Sequence, residues 1–241
     1  MRTGSALVAG GAVLAAGAPL VASLQPLRRA LTPAVLPDRL SGVSTSRHIA
    51  LTFDDGPDPG STPGFLDLLA ERDVRATFFL LGRYAVAEPA LVRRMAEAGH
   101  EIGVHGWTHR CVVGLGPRRL ADDLRATKRV IEELTERPTR WYRPPYGVLT
   151  THALVAARSA GLSTVLWSAW GADWRPGRSA GQVVATVTLG LRPGGTVLLH
   201  DTDRTSAPGS WRTTLTATER LLDAWAERDI AVGPLAEHWV G

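Results

Sequence analysis

The chain has 241 residues, 44% of them apolar and 21% charged, and 27 Lys and Arg against 23 Asp and Glu give a net charge of +4. That length suits one large domain or two small ones, and no basic run is interleaved with aromatics, which argues against nucleic-acid binding. The single cysteine, Cys111, excludes an intrachain disulfide or a cysteine-rich zinc cluster and reads as a small buried hydrophobe.

Between Arg2 and Arg28 no residue is charged. One Arg beside the α-amine, an Ala/Val/Leu core and the small residues Val21, Ala22 and Ser23 have the form of a secretory signal peptide. The stretch is also long enough to cross a bilayer. Arg28, Arg29 and Arg39 beyond it disfavour an anchor with its N-terminus inside. Residues 1–24 are therefore expected to be a signal peptide or a membrane anchor of an exported protein. Residues 25–46 carry Pro and Ser without periodicity and read as a linker.

From residue 47 strands and helices alternate. His48 to Phe53 is a short apolar strand, followed by a helix from Ser61 to Asp73 with Phe65, Leu68 and Leu69 at helical spacing. A second strand covers residues 76–82, and Pro89 opens a helix that Gly99 ends. Residues 100–105 form a third strand, and Pro117 starts a long amphipathic helix to about Arg137. A fourth strand at 139–143, a helix at 151–160, a fifth strand at 163–167 and a helix at 179–190 follow. Strand 195–200, helix 212–228 and a last strand near 230–233 complete the pattern. Such alternation implies a parallel sheet covered on both faces, here one α/β domain of barrel type over residues 47–241.

Chemistry in barrels of this kind sits at the C-terminal ends of the strands. Those ends carry Asp54-Asp55-Gly56-Pro57, His105-Gly-Trp-Thr-His109, Arg143-Pro-Pro-Tyr146-Gly, a run from Ser168 to Trp174, and His200-Asp201. Asp, Gly and Pro are turn formers, so the first could be a turn alone, or one carboxylate could hold a metal while the other moves a proton. His105 and His109 are four apart; a helical turn there would put both imidazoles on one face, able to chelate one ion. With an Asp they make a His₂-carboxylate set that leaves a position open, which suits catalytic Zn²⁺. His100 belongs at the opposite end of its strand, and His48, His152 and His238 are expected in surface or structural roles.

In order, these motifs resemble those of the NodB-type polysaccharide deacetylases, a carbohydrate esterase family. The resemblance covers about residues 46 to 238 and rests on Thr52-Phe-Asp-Asp-Gly-Pro57, the His pair, Arg143-Pro-Pro-Tyr-Gly147 and Leu198-Leu-His-Asp201. It implies a distorted (β/α) barrel of about seven parallel strands. It also implies a metal-dependent hydrolase that removes acetyl groups from the N-acetylated sugars of a polysaccharide, with Zn²⁺ as the first choice of ion and Co²⁺ as the alternative. Asp55, His105 and His109 match the metal ligands. Asp54 matches the base that deprotonates the attacking water, and Arg143 the cation paired with it. Tyr146 falls where a backbone N–H helps hold the oxyanion. His200 resembles the general acid and Asp173 the carboxylate that orients it, while Trp174 and Leu198 would line the slot for the acetyl methyl.

Two positions depart from the family pattern. Gly106 stands where Ser or Thr is usual, which removes a hydroxyl expected to steady the metal loop, and Thr108 is the candidate to replace it. Trp170 stands where an Asp is usual, which affects contacts to carbohydrate more than catalysis. Trp107, Trp170, Trp174 and Trp211 are candidates for stacking on sugar rings. A monomer is expected. Two rival readings are a non-catalytic glycan-binding relative and an amidase or esterase acting on another acylated substrate.

Overall fold

The computed structural model describes residues 20–21 and 38–239. Most of the 1–24 segment therefore lies outside the described residues; Leu20–Val21 (β1) pairs antiparallel with Val148–Leu149 (β6). Among the described residues no helix is long and apolar enough to cross a membrane.

One parallel sheet organises the rest. Its strands are Ile49–Asp54 (β2), Thr77–Leu80 (β3), Glu101–Val104 (β4), Trp141–Tyr142 (β5), Ser163–Thr164 (β7), Ala169–Trp170 (β8) and Thr196–His200 (β9). They lie side by side in the order β7-β5-β4-β3-β2-β9-β8, with Val232–Gly233 (β10) pairing the start of β2. The seven strands curl into a half-barrel whose two edge strands, β7 and β8, are joined by residues 165–168. Every residue of β2 and β3 is buried, as expected of central strands covered on both faces, and this is why they read as continuous apolar runs without alternation.

The helices form where the sequence signals them. Thr62–Glu71 (α2), Pro89–Glu97 (α4) and Pro117–Thr135 (α5) each carry Pro in the first turn, where its missing N–H costs nothing. Thr151–Ser159 (α6) is capped by the Thr150 hydroxyl, which accepts from Ala153 N–H at 3.2 Å. Ala180–Gly190 (α7) begins with a Ser179/Gln182 capping box. α5 buries Leu120, Leu124 and Ile131 on one stripe. Ser210–Ala226 (α8) buries Ala217, Leu221, Leu222 and Trp225. A further short helix, Gly82–Ala87 (α3), was not signalled by periodicity, being under two turns long.

Residues 38–46, the last part of the stretch read as a linker, pack against the domain. Asp38–Ser41 (α1) is a single helical turn. Leu40 is buried with Leu149, Leu166 and Trp167, and Ser44 N–H donates to Gly194 O at 2.8 Å. A segment held by one anchor residue and backbone bonds shows no period to read.

The opposite, N-terminal end of the sheet is closed by residues 234–239. Thr77 Oγ1 accepts from Leu235 N–H, and Glu101 accepts from Ala236 N–H. His48 and His238, expected in surface or structural roles, bond to each other Nδ1 to Nδ1 at 2.9 Å, and His238 Nε2 donates to Gly194 O at 2.6 Å.

Candidate active site

Strand register assembles the site. Asp54 sits opposite His200 across the β2–β9 ladder. Val104 sits opposite Tyr142 across β4–β5, so the next residues, His105 and Arg143, emerge together. Successive side chains on a strand point to opposite faces, which would separate Asp54 from Asp55. Asp55 instead adopts a left-handed φ of 81°, and both carboxylates face the His105 imidazole, Asp55 Oδ1 at 3.2 Å and Asp54 Oδ2 at 3.8 Å from its Nε2. A Cβ at Gly56 would stand 2.7 Å from Asp201 Oδ2, so any larger residue there would push that carboxylate aside.

Arg143 is fully buried and lies 4.1 Å over the Phe79 ring. Its Nη1 donates to Asp54 Oδ1 at 2.8 Å and to Thr52 Oγ1 at 2.7 Å. Burial pulls the guanidinium down from its ordinary value, and Asp54 opposes that shift. Asp54 Oδ1 is thus engaged, and Oδ2 is turned towards His105.

His105 Nδ1 donates to Arg143 O at 2.7 Å, which leaves the Nε2 lone pair directed into the site, the usual arrangement for a metal-ligating histidine. His109 reaches Asp55 Oδ1 at 3.4 Å through a bend, not the helical turn the spacing suggested. Gly106 has φ +96°, a conformation L-residues rarely adopt, so glycine suits this position. The loop is steadied by backbone: N–H groups of Gly82 and Arg83, at the start of α3, donate to Gly106 O and Trp107 O at 3.0 and 3.1 Å.

Asp55 Oδ1 is buried without a hydrogen-bond partner and faces both Nε2 atoms. One ligand atom from each of Asp55, His105 and His109 fits within a 4.8 Å cluster. A tetrahedral ion with bonds of about 2.0–2.1 Å needs its ligand atoms roughly 3.4 Å apart, and the Oδ1–Nε2 separations of 3.2 and 3.4 Å match. The donor set suits a divalent transition-metal ion. Burial would raise the Asp55 carboxyl, but the neighbouring imidazoles of His105, His109 and His200 hold it well below the carboxylate range. Burial pushes His109 down to about 4 against the pull of Asp55, so at neutral pH its lone pair is free. His105 is shifted up, Asp54 and Asp55 outweighing burial.

On the other flank, His200 Nδ1 lies 3.2 Å from both Asp173 oxygens. Asp173 Oδ2 also accepts from His200 N–H at 2.8 Å and Thr214 Oγ1 at 3.0 Å, which fixes the carboxylate. Burial works against the imidazolium, yet Asp173, with Asp55 and Asp54, raises His200 to about 10. The neighbouring Asp201 is pushed up to about 7 by burial, partly offset by the Thr62 hydroxyl that donates to it.

These groups open into a cavity of about 210 Å³. Tyr146, also left-handed at φ 60°, is half exposed at its mouth with its ring 4.4 Å from that of His109. Leu198, Trp174, Trp167 and Trp170 line the cavity. Trp170 is 8% exposed and packs against Trp174 at 4.9 Å and Trp167 at 6.3 Å, making it a wall of the cavity and part of a core cluster. Trp211 packs against the main core, and the Trp107 ring lies against Gly82. Sequence reasoning missed the role of Thr52, quoted only as the start of a motif, and missed Thr205 and Thr214, hydroxyls that belong to no motif, and Trp167, which it read only as the end of a strand.

A family model for polysaccharide deacetylase matches residues 41–165, and the chain belongs to that family. It is 37% identical over 206 residues to the chitooligosaccharide deacetylase of Bradyrhizobium sp. (strain ANU 289), covering 81% of this chain and 92% of that one. The fold superposes with a TM-score of 0.74 on the Bc1960 peptidoglycan N-acetylglucosamine deacetylase, 29% identical, covering 82% of this chain and 90% of that one. It superposes with a TM-score of 0.72 on BA3943 of Bacillus anthracis, a CE4 family pseudoenzyme, 27% identical, covering 80% and 66% of the two chains. Because the family includes a pseudoenzyme, the fold alone does not carry activity; the site residues must.

Proposed function

We propose that this chain is a metal-dependent N-deacetylase that removes acetyl groups from the N-acetylated sugars, of GlcNAc or MurNAc type, of a cell-wall or extracellular polysaccharide. The observation that carries the reading is the buried, unpartnered Asp55 Oδ1 facing two imidazole lone pairs, with an Arg-paired carboxylate on one flank and an Asp-paired imidazole on the other. Asp55, His105 and His109 would hold the ion; when bound, it polarises the amide carbonyl and makes water a better nucleophile near neutral pH.

Asp54 is the base, held by Arg143 so that Oδ2 is free to take the proton of the attacking water. The Tyr146 N–H helps hold the oxyanion of the tetrahedral intermediate, a donor that acyl transfer requires. His200, protonated through neutral pH, donates its Nε2 proton to the departing sugar nitrogen as the C–N bond breaks, and Asp173 orients it from Nδ1. Leu198 and Trp174 enclose the acetyl methyl, and the cavity volume suits a small acyl group. Residues 1–24 direct export, which brings the enzyme to such glycans.

Acetate release should be measured from chitin oligomers, peptidoglycan and O-acetylated xylan after chelation and after adding back Zn²⁺ or Co²⁺. Metal-restored release from the two N-acetylated substrates is expected. Glycan binding without acetate release under every condition would establish the non-catalytic alternative, and release from xylan alone would make the chain an esterase.

A further inference from the structure

Thr205 belongs to none of the strand-end motifs, yet its hydroxyl donates to Asp55 Oδ2. The two oxygens of Asp55 are thereby divided: Oδ2 is capped, while Oδ1 has no hydrogen-bond partner and faces the Nε2 atoms of His105 and His109. We propose that Thr205 is a positioning residue for the metal ligand Asp55, holding the carboxylate so that Oδ1 alone is presented to a divalent cation. This rests on the ligand assignment made above.

The loop that carries Thr205 is pinned in place. Asp58, from the turn after Asp54-Asp55, accepts from Thr202 Oγ1 at 3.1 Å and from Arg204 Nε at 2.8 Å. The Arg204 guanidinium lies 4.0 Å over the Tyr84 ring, and Ala207 N–H donates to Trp174 O at 3.0 Å. The hydroxyl is therefore delivered from a fixed backbone. Without it the carboxylate can rotate, offering both oxygens to the ion or turning Oδ2 towards His200 Nε2, now 3.8 Å away. Loss of such an outer hydrogen bond typically weakens metal binding about 10–100-fold.

The test is competition of the metal-free protein against a chromophoric chelator for Zn²⁺ and Co²⁺, with Thr205→Val, Thr205→Ser and His109→Ala variants. Thr205→Val should bind about 10–100-fold more weakly and alter the visible spectrum of bound Co²⁺, while Thr205→Ser retains both affinity and spectrum. Thermal melting of the metal-free variants separates ligand positioning from folding; Thr205 is exposed, and unchanged melting is expected. Wild-type affinity and spectrum in Thr205→Val, with His109→Ala impaired, would overturn the role of Thr205 and leave the metal site standing. Equal loss in Thr205→Val and Thr205→Ser would assign the effect to the threonine methyl and also overturn it. Absent binding by the wild type, or a His109→Ala variant that binds as tightly, would overturn the ligand assignment itself.

Discussion

Replacing Asp173 with Asn should convert His200 from an imidazolium to a neutral imidazole at working pH. The structure raises His200 from 6.5 to about 10 against the opposition of burial, with Asp173 the strongest of the groups responsible. A rise of that size corresponds to roughly 5 kcal/mol in favour of the charged ring. Asn keeps an oxygen able to accept from Nδ1 but removes the charge, leaving only Asp55 and Asp54 to oppose burial, so the pKa should fall. For each unit that it falls below the working pH, the protonated fraction and with it the activity should drop about tenfold. NMR titration of the metal-free protein reads the shift directly, and the alkaline limb of kcat/KM in the metal-loaded enzyme should move to lower pH. The sign for stability follows from linkage. Because the folded pKa is the higher one, His200 stabilises the metal-free fold fully below about 6.5, and that contribution is lost as pH rises through about 10. The stability gap between wild type and variant should therefore be largest in mild acid and close above pH 10. An unchanged titration and an unchanged alkaline limb would refute the pairing as the source of the acid.

Arg143→Met should leave Asp54 buried without its cation; breaking such a pair typically costs about 3–5 kcal/mol, read as a lower urea midpoint, and turnover should collapse with it. In acid, His100 and His238 each have a folded value of about 4, set mainly by burial, with Arg75 and His48 respectively adding to it. Their neutral forms belong to the fold, so stability is intact above about 6.5 and falls as pH drops from there towards 4, by up to roughly 3 kcal/mol per residue. Urea titrations of the metal-free protein across that window should steepen accordingly. A His238→Gln variant should show the shallower slope.

The sheet was readable because its central strands are uninterrupted apolar runs between Gly and Pro punctuation, and because polar groups gather where each run stops. The order of strands was not, since β2 pairs with β9 across nearly 150 residues and no local pattern records that ladder. β7, two residues long, was read as the start of a longer strand at 163–167, and β8, also two residues, falls below any detectable period. At the site, Asp54, Asp55, His105, His109, Arg143, Asp173 and His200 were all legible through motifs, and the structure brings them together. Asp55's left-handed backbone was not legible, because Asp before Gly-Pro suggests a turn without saying which residue takes the positive φ. Thr205 was invisible for a different reason: a lone hydroxyl in a polar loop gains meaning only when the fold carries that loop back to residue 55.

The central claim is that Asp54 moves the proton while Asp55, His105 and His109 hold the ion. Asp54→Asn, loaded with Zn²⁺ and assayed for metal content and for acetate released from a chitin oligomer, tests both halves at once. One equivalent of metal per chain with acetate release abolished is the expected result; near-wild-type release would contradict the account, and so would loss of the metal together with the activity.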